Sequence, residues 1–306
     1  MLTYLLRRVL RAVSTLLGTT LILFVLVRVI PADPAVSIAG PKADPATLAK
    51  IRADLGLDDP VAVQYGRYLL QLAHGDLGRS YVTERHVVDV IAERIGPTAL
   101  LALTSVALAV GLGLLSGITT ALRAGSLLDV AVLLVTLVGL SLPTFWIGNL
   151  LIYLCSARWR ILPSGGYGTW QHLLLPAATL TFVKTLLYAR LVHANVGRTL
   201  ASDYVRTARA KGVTSARLLI RHALRNALLP VITVVGLDAA ELMSGLVLTE
   251  TVFNWPGLGR LAVQAVFGLD IPLMAGTVLF SAALVLVGNL LVDLCYGLID
   301  PRVQRA

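Results

Sequence analysis

Charge is scarce in this sequence. Only 14% of its 306 residues are Asp, Glu, Lys or Arg, whereas a soluble domain is about a quarter charged. That shortfall excludes a disordered chain and argues against an ordinary soluble enzyme. Acids are scarcer than bases, 17 against 26, for a formal net charge of +9. Cysteine is confined to Cys155 and Cys295, both in apolar runs, too few for a disulfide framework or a metal cluster. The histidines, His74, His86, His172, His193 and His222, have no metal-ligand spacing. No G-x-x-x-x-G-K-[ST] stretch occurs, so the chain has no P-loop for ATP. No Ser/His/Asp set and no nucleic-acid motif is found, and the excess of base is read first as membrane topology.

What is abundant is apolar length. Hydrophobic residues make up 57% of the chain, and mean hydropathy is +0.80. Six runs, near 9–30, 97–121, 129–156, 173–195, 228–251 and 273–298, are long enough to cross a bilayer core, which takes roughly 20 helical residues. They are too long for barrel strands. The expected fold class is an all-α integral membrane protein with six transmembrane helices. The first run follows Arg7, Arg8 and Arg11 and has no clear cleavage site before Pro31, Asp33 and Pro34, so it reads as an uncleaved span.

Charge orients the spans. The segment between spans four and five holds Arg190, Arg198, Arg206, Arg209, Lys211, Arg217, Arg221 and Arg225 against Asp203 alone. With the N-terminal arginines and the tail residues Arg302 and Arg305, it is expected to be cytoplasmic. Residues 31–96 carry seven bases and nine acids and are expected outside. Both termini then lie in the cytoplasm. The chain divides into a tip and first helix (1–30), an extracytoplasmic segment (31–96) with helices over Pro45–Leu55 and Val61–Ala73, and a five-helix core (97–306) with a cytoplasmic loop near 196–227.

That loop reads Asp203-Tyr204-Val205-Arg206-Thr207-Ala208-Arg209-Ala210-Lys211-Gly212. It predicts a short helix stopped by a left-handed Gly212, with Thr214 or Ser215 capping the next helix. Small residues between basic ones suit docking into a groove on another protein. A basic loop that only sets topology or touches anionic lipid is the alternative. Four ionisable residues also fall deep in apolar runs: Lys184, Asp238, Glu241 and Asp293. Each costs about 2.5–3.5 kcal/mol at mid-membrane unless paired or wet. Asp238 and Glu241, three apart, are expected on one helix face at the depth of Lys184. They either line a translocation path or form a buried ion pair, and Asp293 reads as structural. Pro143, inside span three, predicts a kink.

The inner loop and the following Arg221-His222-Ala223-Leu224-Arg225-Asn226-Ala227-Leu228-Leu229-Pro230 resemble the EAA loop of ABC-transporter permeases, in the form used by the dipeptide/oligopeptide branch. So do Arg28–Pro34, Leu55–Asp58, Gly75–Ser80, Gly139–Trp146, Leu162–Tyr167, Glu250–Gly259 and Asp293 with Asp300-Pro301-Arg302, in order along nearly the whole chain. Ala32 replaces the usual Gly. Lys184, Asp238 and Glu241 depart from the branch, which has uncharged residues there. The resemblance is to the first of two permease subunits.

The resemblance implies the type I ABC importer permease fold in a bacterial inner membrane. It implies a non-catalytic subunit that imports dipeptides or oligopeptides by alternating access. The implied partners are a second homologous permease, ABC ATPase subunits, an extracytoplasmic substrate-binding protein, the peptide and membrane lipid, with no nucleic acid. No cofactor is implied on this chain; ATP and magnesium belong to the ATPase. Tyr204, Arg206, Thr207, Ala208, Ala210, Lys211 and Gly212 become the coupling helix, and residues 31–96 help receive the binding protein. Nickel complexes, glutathione or another small solute are alternative cargoes. A proton-coupled secondary transporter using Asp238 and Glu241 is the rival mechanism, and a membrane scaffold is the rival without transport.

Overall fold

The computed structural model describes residues 2–29, 35–36, 43–54, 56–214 and 217–299. Helix α1 spans Leu2–Val29, followed by α2 (Pro45–Asp54) and α3 (Val61–Ala73). Next come α4 (Val87–Leu122), α5 (Leu127–Ser141), and α6 (Thr144–Leu151) running into a π-helical turn at Ile152–Arg158. Then come α7 (Trp170–Leu200) and the loop helix α8 (Asp203–Ala210). A π-helical Leu218–Leu224 leads through Arg225–Ala227 into α9 (Leu229–Met243). The chain continues through α10 (Val247–Val252), α11 (Leu258–Phe267) and α12 (Ile271–Ile299). No strand occurs among the described residues; Arg79 and His86 form one isolated antiparallel bridge. The all-α class expected from the length of the apolar runs is the class found.

Among the described residues, four helices are continuous, long and apolar enough to cross a membrane: Leu6–Val27 within α1, α4, α7, and Ile271–Leu294 within α12. The two other expected spans are broken. The run 129–156 is split at Leu142–Pro143, and its halves meet at 101°. Proline removes a backbone donor and forces the preceding residue out of the helical region; Leu142 is extended at ψ 133°. The run 228–251 is also not one helix. Within it α9 ends at Met243 before Gly245 at φ +129°, and the segment Leu218–Ala227 that precedes it meets α9 at 49°. Span counts therefore run from four to six, six if each bent pair counts as one. The second halves of the broken spans pack together: Gly148 of α6 lies against Phe253 and Val252, where a Cβ would sit 3.1 Å from the Phe253 ring.

Glycine lets the two longest helices touch. A Cβ on Gly113 of α4 would fall 2.7 Å from Tyr188 Cβ of α7, and one on Gly117 would fall 2.6 Å from the Ala189 carbonyl. Small residues permit this approach where the hydrophobic effect gives no drive between helices. Buried Leu101, Ala102, Ala177, Leu180, Leu242 and Trp255 share one core cluster. At one end Val87, Ile91, Leu258 and Leu273 form a second; at the other, Ala121, Val192, Val196, Ala227 and Val231 form a third. Antiparallel α1 and α12 are tied by an ion pair from Arg8 to Asp293. Beyond the other end of α1, α3 lies alongside it, with Tyr65 Oη 3.0 Å from Thr20 Oγ1.

The two ends differ in charge. The end bearing α8 collects Arg8, Arg123, Arg198, Arg206, Arg209, Lys211 and Arg225. The opposite end mixes bases with Asp76, Glu93, Glu250 and Asp270. The expected exit sequence Pro31–Pro34, the cap Ser215 and the closing Asp300-Pro301-Arg302 with Arg305 lie outside the described residues.

Candidate functional site

The loop helix α8 is held by one apolar side chain. Val205 is 1% exposed, and Asn226 Nδ2 donates to Tyr204 Oη at 3.2 Å. Its end is a full Schellman motif: Val213 N–H donates to Ala208 O at 3.3 Å and Gly212 N–H to Arg209 O at 3.0 Å. Gly212 has φ +80°, a left-handed conformation that suits glycine. A Cβ there would meet nothing within 4 Å, so the backbone angle alone constrains this position.

The rest of the helix faces outward. Arg206, Thr207, Ala210, Lys211 and Gly212 are exposed, as is Tyr204 despite its hydrogen bond. Ala208 is half-buried, so it joins Val205 on the packed side. The Arg206–Asp203 pair is loose, 3.8 Å with side chains 81% and 96% exposed. These guanidinium and ammonium groups are free to meet an external partner. Val205 and Asn226, which brace the helix, were not singled out by sequence reasoning. Val205 is the lone branched apolar residue in a polar octet, a signal that was available.

At mid-span, Lys184 Nζ lies 2.8 Å from Asp238 Oδ1. Tyr188 Oη donates to Asp238 Oδ2 at 2.9 Å, so both carboxylate oxygens are engaged. Tyr188 is one turn after Lys184 on α7, which sets both donors on one face. Glu241 is not part of this cluster. Contrary to the expectation of a shared face, Asp238 is buried and Glu241 is exposed. A Cβ on Gly288 would overlap Ala240. Glu241 is thus level with a point about 25 Å from the Ile271 end of α12 and about 17 Å from its Ile299 end, at 1.5 Å per residue.

Two further carboxylates were missed as single residues. Glu250 is fully buried. Thr98 Oγ1 donates to its Oε1 at 2.7 Å and Arg260 N–H to its Oε2 at 3.0 Å. Thr98 Oγ1 in turn accepts from Leu258 N–H at 2.9 Å, and Trp255 Nε1 donates to Pro97 O at 3.0 Å. Any side chain on Gly257 would overlap the Glu250 carboxyl. The stretch Glu250–Gly259 is therefore a knot that fastens α10 and α11 to α4. Asp270 is the second, 1% exposed. It accepts from Ser80 Oγ, from Tyr81 N–H at 3.2 Å and from Leu273 N–H at 3.3 Å, binding the outer segment to the start of α12. Burial, then the Asp270 charge, push the Tyr81 phenol above its ordinary range.

The remaining candidates are structural in their contacts. His193 Nδ1 sits 3.1 Å from Thr120 Oγ1 and 3.5 Å from Asp129 Oδ1, clasping α7 to the α4–α5 turn. Asp76 accepts from Gly78 N–H at 2.8 Å. A recess of about 930 Å³ between α1, the outer helices and α12 balances Arg52, Arg67 and Arg79 against Asp58, Asp76 and Glu84. No group of three or more potential metal ligands occurs among the described residues.

Known proteins share this architecture. A chain of the solved structure "Inward facing conformations of the MetNI methionine ABC transporter: CY5 SeMet soak crystal form" superposes with a TM-score of 0.59. The match covers 69% of this chain and 96% of that one at 17% identity, a likeness of fold. A peptide transport system permease protein of Brucella abortus (strain 2308) is 40% identical over 307 residues, 98% of each chain. The glutathione transport system permease protein GsiC of Salmonella paratyphi A is 41% identical over 305 residues, 99% of each chain. The family described as "Binding-protein-dependent transport system inner membrane component" matches residues 109–305. Its N-terminal companion, "Binding-prot-dependent transport system membrane comp, N-term", matches residues 1–102. The chain belongs to this family, as a membrane permease subunit of a binding-protein-dependent ABC importer.

Proposed function

We propose that this permease imports short peptides, with α8 as the helix that docks on a separate ATPase. The observation that carries the docking role is α8 itself. Its basic outward face is exposed, its end is fixed by the Gly212 Schellman motif, and only Val205 is buried beneath it. Arg206, Thr207, Ala210, Lys211 and Gly212 form the contact face, while Tyr204 and Ala208 hold the helix in place. ATP binding closes the ATPase pair, and the docked helix passes that motion to α7 and α9 as a rigid-body shift. ATP and magnesium reside on the ATPase, and this chain is non-catalytic.

The charge difference between the ends supports a cytoplasmic basic end with both termini inside and six spans. The mixed-charge end with α2 and α3 then receives the substrate-binding protein. A second, homologous permease completes the path. Peptide cargo is supported by the names of relatives that match end to end. Glutathione, itself a small peptide, is the second reading, favoured by relatives of equal similarity. Mild-detergent purification from native membranes, with mass spectrometry of co-eluting chains, tests the assembly. A second permease and P-loop ATPases are expected. A chain that elutes alone, with uptake that persists under ATP depletion and stops with a proton uncoupler, would overturn it.

A further inference from the structure

We propose that the exposed face of α9 around Glu241 lines the aqueous path, and that its fixed negative charge selects cargo carrying an ammonium or guanidinium group. The inference rests on the peptide-import reading and names the charge class that the path prefers.

Glu241 lies at mid-span with its side chain exposed on this chain. Its carboxylate makes no ion pair or hydrogen bond with the described residues. A carboxylate at that depth does not face hydrocarbon; it faces water or protein. Exposed Pro230 and Leu237 share its stripe, with half-buried Thr233 and Ser244 on the same side. The outward side of α5 is different: Leu133, Leu134, Leu137 and Val138 are all apolar and suit lipid.

Just beyond Glu241 the helix breaks at Ser244–Leu246, with Gly245 at φ +129°. Non-helical backbone at membrane depth is tolerated where it is buried in protein or borders a water-filled cavity. Broken helices of transporters commonly flank the solute site. Here the break is packed in protein: a Cβ on Gly245 would fall 2.9 Å from Gly259 N, and Ser281 Oγ donates to Ser244 O at 2.6 Å, so it ends the Glu241 face at a fixed point.

Charge then sets the preference. Lys184 is neutralised by Asp238, whose second oxygen is taken by Tyr188. Glu241 remains as a net negative charge in this layer. An ionised carboxylate only accepts hydrogen bonds, and its strongest complement is a charged N–H donor. A free peptide amino terminus or a basic side chain fits that requirement.

The test uses the complete transporter in proteoliposomes, with Cys155 and Cys295 replaced by serine and a reporter at Leu237→Cys, one turn from Glu241. Cationic and anionic water-soluble methanethiosulfonates are applied during ATP turnover. Both reagents are expected to label the reporter, and Leu134→Cys on α5 is expected to resist both. The cation-to-anion rate ratio is expected to fall at least fivefold in Glu241→Gln and to persist in Glu241→Asp. A transport-active complex whose Leu237→Cys resists both reagents overturns the wet face. Labelling with an unchanged ratio in Glu241→Gln overturns the charge selection. Uptake of alanyl-lysyl-alanine relative to alanyl-glutamyl-alanine is expected to fall at least fivefold in Glu241→Gln, and an unchanged ratio counts against selection. A wild-type complex that moves neither dipeptides nor tripeptides defeats the peptide reading, while labelling still decides the nature of the face.

Discussion

The two ends of this molecule treat polar groups in opposite ways. At the mixed-charge end, Glu250 and Asp270 are almost wholly buried and accept hydrogen bonds from backbone and hydroxyl donors of other segments. At the basic end, Arg206 and Lys211 project from a helix anchored by Val205. A polar group satisfied within the chain stabilises this chain. One left exposed at a fixed place is available to a partner. Mid-span divides by the same criterion: Asp238 is satisfied from within and Glu241 is not.

The sharpest way to break this comparison is at Glu250. Glu250→Ala leaves the buried Thr98 hydroxyl and the half-buried Arg260 N–H without their acceptor. Each orphaned donor costs about 1–3 kcal/mol, so a loss of roughly 3 kcal/mol or more is expected. Thermal aggregation in detergent should show a large drop in the folded fraction, and protease cleavage should open near 250–259. An unchanged melting profile would mean that the knot does not hold α10 to α4.

Next in size is the pair at mid-span. Lys184→Met leaves a buried carboxylate uncompensated, and breaking such a pair from one side costs about 3–5 kcal/mol when fully buried. Both side chains retain some exposure, 18% and 12%, which argues for the lower part of that range. The double variant Lys184→Met/Asp238→Asn should recover most of the loss, with Tyr188 still bonding to the amide. Assembly yield measured by size-exclusion chromatography decides it. Equal yields for the single and double variants would contradict an architectural pair.

Much of this was legible in the sequence. Apolar length gave the continuous helices, and the pattern Ala208–Gly212 gave the Schellman end. Lys184 and Asp238 stood out because charge in an apolar run requires an explanation. What could not be read was direction. Three-residue spacing places Asp238 and Glu241 at adjacent angles, yet the packing boundary of α9 passes between them. Nor does hydropathy register a break: Leu142 and Ser244–Leu246 sit inside runs that look continuous. Pro143 signalled a kink but not a 101° turn. Glu250 and Asp270 were passed over because their donors, Thr98 and Ser80, lie more than 100 residues away in sequence.

At the basic end, Gly212→Val tests whether the fixed exit of α8 matters. A left-handed backbone costs a β-branched residue about 1–2 kcal/mol, and no side-chain clash adds to it, since nothing lies within 4 Å of the new Cβ. The chain should still insert and fold. If α8 docks as proposed, uptake should fall at least tenfold, because strain is relieved by moving the end of α8 away from that position. Normal uptake at normal expression would remove the geometric requirement at Gly212.

Arg206→Ala should have the smallest effect on the chain and is therefore the cleanest probe of the interface. Its pair with Asp203 is 3.8 Å long with both side chains mostly exposed, an arrangement that contributes little, roughly 0–0.5 kcal/mol. Stability of the isolated chain should not change measurably. Affinity for the ATPase subunits should still drop several-fold at low salt, and the difference from wild type should shrink as salt screens the lost attraction. A salt-independent loss would point to packing rather than charge at this position. No loss at any ionic strength would place Arg206 off the contact face, leaving Thr207, Ala210, Lys211 and Gly212 to define it.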